Sequence, residues 1–199
     1  MKKRILNGFT GLCDEPEEYC LLPVPFHHQQ QPNWCWAASA QMVMEFLGVN
    51  QDVSQGVQAT LSNELGNDCC GGALTADCDP KFPGLRAGCN RTAFPDFWHF
   101  GFDAAMSSTQ LGWDGIKDQI HTKNRPFVYG AQLPGGGLKH FVVVIGYAKS
   151  GRKKHVFIHD PLKRDAAPNN FALTYCEYRH GGMGFPYVNW TTYFDITKL

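Results

Sequence analysis

The sequence lacks the features that place a chain in a membrane or on a nucleic acid. No apolar run approaches the roughly 20 residues that a membrane-spanning helix needs, and the formal net charge is zero. Basic runs occur only at residues 2–4 and 152–154, and both are short enough to be solvated. We therefore expect no nucleic-acid partner and no membrane insertion.

Repeats and targeting segments are also missing. The start of the chain is basic but has no apolar segment of the kind found in a signal peptide. There is no internal repeat, and the only biased tract is the short run Gln29–Gln31. The length of 199 residues, with ordinary apolar and charged fractions, suits one or two compact domains with a substantial core.

The stretch from Gln29 to Ala40 holds a cysteine in a setting that favours a thiolate. Cys35 stands between two tryptophans and is followed by small helix-forming residues. With Asn33 as the predicted N-cap and Gly48 as the stop, Cys35 would lie in the first turn of a helix. Unpaired N–H groups and the helix dipole stabilise a negative sulfur there, so we interpret Cys35 as a catalytic nucleophile.

Eight cysteines are many for a reduced cytosolic protein of this length. If Cys35 is catalytic, seven remain, and at least one of them stays unpaired in an oxidised monomer. Disulfides in a secreted or exported protein are one interpretation, and a zinc site is the weaker alternative, because no pair has the two-residue gap of zinc ribbons. The remaining cysteines, whose connectivity the sequence leaves open, are Cys13, Cys20, Cys69, Cys70, Cys78, Cys89 and Cys176.

The pattern along the chain predicts an α+β protein with helices first and strands second. Residues 1–26 are interpreted as an extended, cysteine-containing lead-in, and residues 27–199 as a single domain. Helices are expected after Cys35, after Ser54 and from about Trp113 to Lys123, and the aromatic stretch around Phe97 is expected to be core. Five strands are predicted, at Phe127–Leu133, His140–Ala148, Lys154–His159, Phe171–Tyr178 and Tyr187–Ile196.

Three residues supply what a thiolate nucleophile needs. His140 opens an apolar strand after a glycine-rich turn, and Asp160 follows the next strand. If the two strands are antiparallel neighbours, Asp160 returns to the side of His140 and can orient the imidazole. Gln29 precedes the cysteine and could donate its amide to an oxyanion, together with the N–H of Cys35.

Together these blocks resemble papain-like cysteine peptidases. The resemblance is strongest to a bacterial branch that includes the plant-pathogen effector protease type and the bacteriocin-processing peptidase domains of ABC exporters. The blocks that carry it occur in the order found in that family. They are Gln29–Ala38, Cys69-Cys70 with Cys89-Asn90, Arg125-Pro126, His140–Tyr147 and Asp160-Pro161.

The resemblance implies a two-lobed fold, with a helical lobe over about 27–124, a β-sheet or barrel lobe over about 125–199, and the active site in the cleft between them. It makes Cys35 the nucleophile, His140 the general base and then acid, Asp160 the orienting residue and Gln29 an oxyanion donor. It also implies a disulfide between Cys70 and Cys89. The implied substrate is a protein or peptide, with a cognate inhibitor or immunity protein as a further partner and with no cofactor or metal.

Two other functions remain open at this stage. The same thiol chemistry deamidates glutamine or transfers an acyl group in other proteins, because an acyl-enzyme does not dictate its acceptor. The chain could also be a non-catalytic binding module stapled by disulfides. The leading hypothesis is an exported cysteine endopeptidase.

Overall fold

A computed structural model of the protein describes residues 2–6, 9–13, 19–62, 69, 89–162, 170–182 and 185–199. These residues form helices and one antiparallel sheet, in agreement with the predicted α+β class. The helices are α1 (Cys35–Phe46), α2 (Gln55–Leu61), a 3₁₀ helix (Trp98–Phe100), α3 (Trp113–Lys117), which continues into a π-helical turn (Asp118–Thr122), and α4 (Tyr175–His180). The strands are β1 (Lys2–Leu6), β2 (Phe9–Cys13), β3 (Tyr19–Leu21), β4 (Phe102–Ser107), β5 (Phe127–Gln132), β6 (Lys139–Ser150), β7 (Lys153–His159), β8 (Asn170–Thr174) and β9 (Val188–Lys198).

Helix α1 is the central helix of the fold. Nearly all of its side chains are buried, as expected of a helix whose residues are small or apolar except at Gln41 and Glu45. It packs against β5 and β6. It ends before Gly48, which takes the predicted left-handed conformation at φ +80°. The predicted N-cap is wrong, because Trp34 occupies that position without a side-chain cap and Asn33 bonds to Asn90 instead.

Helix α2 begins after Ser54 as predicted, although the Ser54 side chain makes no capping hydrogen bond. The helix pattern of the sequence, with Val57, Leu61 and Leu65 on one face and Gly66 at its end, predicts a longer helix, but Leu65 and Gly66 lie outside the described residues. The aromatic stretch after Asn90 is only partly core. Phe97 and Phe102 are buried, but Phe94 and Trp98 are 54% and 69% exposed.

Strand β6 organises the sheet. Its first half pairs with β5 and its second half with β3, while β7 lies along its opposite edge. The order of strands is β1-β2-β3-β6-β5-β9-β4. In addition, β7 pairs with β6, and β8 pairs with β7. Gly146 is required where β3 approaches, because a Cβ there would lie 2.6 Å from the carbonyl oxygen of Cys20.

Two parts of the chain differ from the predicted strands. The strand expected over Phe171–Tyr178 is wrong beyond Thr174, where α4 begins. Thr174 accepts a hydrogen bond from the Glu177 N–H, and the Glu177 carboxylate accepts one from the Thr174 N–H, so a capping box starts a helix there. The structure also contains β4 and the strands β1 to β3, which the sequence pattern does not predict.

The cysteines correct one expectation. Cys89 is bonded to Cys69, with a sequence separation of 20, and not to Cys70 as the resemblance implies. Cys20 is also disulfide-bonded, whereas Cys35 and Cys176 are the free cysteines among the described residues. Cys70 and Cys78 lie outside them.

The described residues contain neither a membrane-spanning helix nor a metal-binding cluster. None of the helices in this part of the chain has both the length and the apolarity needed to cross a membrane. The same residues contain no cluster of histidine, cysteine and carboxylate side chains suited to a metal ion.

Candidate active site

The Cys35 side chain lies at the start of α1, where the first N–H groups of a helix have no intrahelical partner. It is 7% exposed and forms part of the wall of a surface cavity. The tryptophans on either side anchor this helix start. Trp34 Nε1 donates to the carbonyl of Cys89 at 2.8 Å, and Trp36 Nε1 donates to the carbonyl of Arg91 at 3.2 Å.

The disulfide-bonded Cys89 therefore supports, through its carbonyl, the start of the helix that carries Cys35. Trp34 is 1% exposed and serves packing, whereas Trp36 also lines the cavity.

The side chains of His140 and Asp160 meet as the antiparallel arrangement predicts. β6 and β7 are neighbours, with Val143 opposite His159, so the residue after β7 returns to the beginning of β6. The distance from His140 Nε2 to Asp160 Oδ1 is 2.7 Å, and both side chains are buried. Asp160 Oδ1 also accepts the N–H of Leu162 at 3.0 Å, which fixes the carboxylate.

The imidazole of His140 has both Asp160 and Cys35 as neighbours. Its Nε2 faces the Asp160 carboxylate, and Cys35 is close enough to raise the pKa of the imidazole. Since Nε2 is engaged by Asp160, Nδ1 is the nitrogen left for the sulfur. The structure thus brings together Cys35 from α1, His140 from β6 and Asp160 from the end of β7.

The electrostatics of His140 favour its protonated form. Burial lowers the pKa of this imidazole, but hydrogen bonds to Asp160 and then to Cys35, together with their negative charges, outweigh burial and raise the pKa from 6.5 to about 9. At neutral pH the imidazole of His140 is therefore protonated. A protonated imidazole beside a cysteine is the arrangement that activates a sulfur nucleophile.

Gln29 is near this assembly, but its amide is engaged. Its Nε2 donates to the carbonyl of Gln31 at 2.9 Å and to that of Pro32 at 2.6 Å. Among the described residues, the buried Oε1 has no hydrogen-bond partner. The backbone N–H of Gln29 donates to the carbonyl of Pro161 at 3.1 Å, so the segment before Cys35 is tied to the turn that carries Asp160.

A buried glutamine on α2 holds the same segment, and sequence reasoning missed it. Gln55 is 1% exposed. Its Oε1 accepts the N–H of Gln30 at 2.8 Å, and its Nε2 donates to the carbonyl of His28 at 2.8 Å. These two bonds hold the backbone in place on both sides of Gln29. A glutamine at the first position of a predicted helix gives no signal of such a role, because its partners are backbone groups 25 or more residues away.

The cavity beside Cys35 has a volume of about 340 Å³ and contains further residues that the sequence did not single out. Its walls are largely aromatic, with Phe94, Phe141 and Trp190 in mutual ring contact. Tyr187 lies on another side of the site, with its ring centroid 6.0 Å from that of His140. Burial, and then the charges of Asp160 and Cys35, raise the pKa of Tyr187.

Comparison with models of protein families gives a match that covers most of the chain. The model of the Peptidase_C39 like family matches residues 21–183, a range that includes Gln29, Cys35, His140 and Asp160. No curated protein matches the chain.

Proposed function

We propose, from the premise that this chain belongs to the C39-like peptidase family and is a cysteine peptidase, that Cys35, His140 and Asp160 form its catalytic triad. The observation that carries the proposal is the buried imidazole of His140, which is hydrogen-bonded to the Asp160 carboxylate and whose pKa is raised by Asp160 and by the neighbouring Cys35. The reaction is the hydrolysis of a peptide bond through an acyl-enzyme.

The first step follows from this geometry. The Cys35 thiol has transferred its proton to His140, and the thiolate attacks the carbonyl carbon of the scissile bond. The resulting tetrahedral oxyanion collapses as His140 gives its proton to the leaving amine, which departs and leaves a thioester on Cys35. Asp160 keeps the imidazole oriented and stabilises its positive charge throughout.

In the second step His140 acts as a base. It removes a proton from a water molecule, which attacks the thioester carbonyl and displaces the Cys35 sulfur. The carboxylic acid product leaves, and the released thiolate of Cys35 faces the protonated His140. This is the ion pair that began the reaction.

The oxyanion is stabilised by the backbone N–H of Cys35 and by Gln29. The helix start supplies the first donor without rearrangement. Gln29 Nε2 must turn away from the carbonyl of Gln31 or Pro32 before it can supply the second. Substrate binding would then exchange one amide hydrogen bond for a stronger one to a developing anion.

We place the substrate in a cleft between a helical lobe that contributes Cys35 and a sheet lobe that contributes His140 and Asp160. Support comes from the cavity lining, which includes Cys35 and Trp36 from α1 and also Phe141 and Trp190 from strands. A peptide lying there would present its scissile carbonyl to the sulfur and one side chain to the apolar walls.

We also propose that the enzyme is exported. The Cys69–Cys89 disulfide and the disulfide of Cys20 support an oxidising location, since structural disulfides are rare in reducing compartments. Trapping free thiols in intact cells with an alkylating reagent tests this. Recovery of Cys69 and Cys89 in alkylated form would contradict it.

The test of the activity is a cleavage profile on peptides made by digesting a proteome. We expect the wild-type protein to cleave a defined set, and Cys35→Ala to cleave none of it. His140→Ala should lose about two to four orders of magnitude in kcat/KM, the usual contribution of a general base. Retention of full activity by either variant would contradict the triad, and circular dichroism should confirm that both variants fold. A one-dalton mass gain on glutamine, without chain cleavage, would indicate deamidation instead.

A further inference from the structure

Apart from the Cys35 nucleophile, the cavity has one charged residue among the described residues that line it. Its walls include Trp36, Phe94, Phe141 and Trp190, and the charged side chain is that of Lys139. A lone cation at an apolar binding site attracts an anion and disfavours another cation. The cavity is therefore electrostatically asymmetric, although the chain as a whole has no net charge.

The Lys139 ammonium has an aromatic partner but no acidic one. Its Nζ lies 4.2 Å from the ring centroid of Trp190. Within the described part of the chain, no carboxylate lies at ion-pair distance from it, whereas Lys123 is paired with both Asp118 and Asp195. A cation–π contact at an exposed site is weak. Lys139 is exposed, so its ammonium can turn towards a carboxylate without losing a stronger bond.

The position of Lys139 couples this charge to the reaction. It is the first residue of β6 and directly precedes His140. Leu138 and Phe141, on either side of these two residues, also line the cavity. A substrate side chain beside Lys139 thus lies within a few residues of the scissile bond.

We propose that Lys139 is a specificity-determining residue that selects peptides with an aspartate or glutamate next to the residue whose apolar side chain fills the cavity. This inference rests on the proposed function, because it assigns a substrate class to the same site. It predicts discrimination by charge in addition to discrimination by side-chain size. Lysine and arginine at the selected position should be disfavoured.

The experiment compares cleavage profiles of the wild-type protein, Lys139→Glu and Lys153→Glu on the proteome-derived peptides, with Cys35→Ala as the background. Lys153 is an exposed lysine at the start of β7, opposite Ser150 at the far end of β6. By strand rise it lies roughly 30 Å from Lys139. The Lys153→Glu variant therefore has the same change in net charge as Lys139→Glu, but at a site away from the cavity.

We expect acidic residues to be enriched near the cleavage site for the wild-type protein and for Lys153→Glu, and basic residues to replace them for Lys139→Glu. On a matched pair of fluorogenic peptides with Glu or Lys at that position, the wild type should favour Glu by about three-fold in kcat/KM, typical of an exposed ion pair. Lys139→Glu should reverse this preference, and 1 M NaCl, where the Debye length is about 3 Å, should reduce it towards unity.

The outcomes separate this inference from the proposed function. If cleavage depends on Cys35 but the wild-type and Lys139→Glu profiles coincide, Lys139 does not select substrate and the inference is overturned. An acidic preference that Lys153→Glu also abolishes would overturn it as well, since general attraction would then be the cause. Absence of any Cys35-dependent cleavage would instead refute the proposed function.

Discussion

Replacement of Asp160 by asparagine tests the central contact of the site. The pKa of His140 rises from 6.5 to about 9 in the folded protein. At 1.36 kcal/mol for each pKa unit, protonated His140 contributes about 3 kcal/mol to the free energy of unfolding. Because the folded pKa is the higher one, this contribution is fully present below about pH 6.5 and disappears as the pH rises through about 9. Asparagine keeps a hydrogen-bonding group but removes the charge, so burial then dominates and lowers the pKa.

The assay is urea unfolding of the wild type and Asp160→Asn between pH 6 and pH 10, with an NMR titration of the histidine rings. The wild type should be more stable at pH 6, and the gap should narrow by up to about 3 kcal/mol towards pH 10. Asp96→Asn is the matched control. It removes a carboxylate from the ion pair with the exposed His99, which solvent screens, and should leave the pH dependence unchanged. Parallel stability curves for the wild type and Asp160→Asn would refute the reasoning.

Three further predictions concern the scaffold, all measured by chemical unfolding. Replacement of both Cys69 and Cys89 by serine should cost about 3 kcal/mol, as expected for a closed loop of about 20 residues; an unchanged unfolding midpoint would contradict it. Gln55→Ala should cost about 1–3 kcal/mol because two partly buried hydrogen bonds to the backbone are lost, and a loss below about 0.5 kcal/mol would show that water replaces the amide. Gly130→Ala should lower the free energy of unfolding by about 2 kcal/mol or more, since its Cβ would lie 2.4 Å from a side-chain atom of β9. Gly112→Ala is the control, because a Cβ there meets open space, and its free energy of unfolding should stay within about 0.5 kcal/mol of the wild-type value.

Strong local periodicity made part of the fold predictable. Helix α1 and strands β5 to β7 follow from runs of residues that agree with one secondary structure. β4 could not be predicted, because Phe102–Ser107 contains no β-branched residue. Its strand conformation comes from pairing with β9, which follows it by more than 80 residues. The end of β8 was missed for the opposite reason, since the local capping box at Thr174 outweighs the aromatic residues that follow.

In the candidate site, too, only some of the contacts could be predicted from the sequence. The contact of His140 with Asp160 follows from two consecutive strands, so the sequence was sufficient to predict it. The partner of Cys89 was not, because Cys69 and Cys70 are adjacent in the chain and their spacing to Cys89 does not tell them apart. The bonds of Gln29 and Gln55 depend on the path of backbone carbonyls, which sequence patterns do not record.

The pairing of β3 with β6 has a consequence for any shortened form of the protein. β3 covers the backbone of Gly146–Ala148 on the side where β5 has ended. A chain starting after Leu21 would keep nearly all of the family match, which begins at residue 21, and all four proposed active-site residues. It would nevertheless expose an unpaired strand edge in the strand that carries His140, and such edges recruit strands from other molecules. Strand β3 therefore covers an edge that could otherwise pair with another molecule, and trimming to the family boundary should produce oligomers in size-exclusion chromatography.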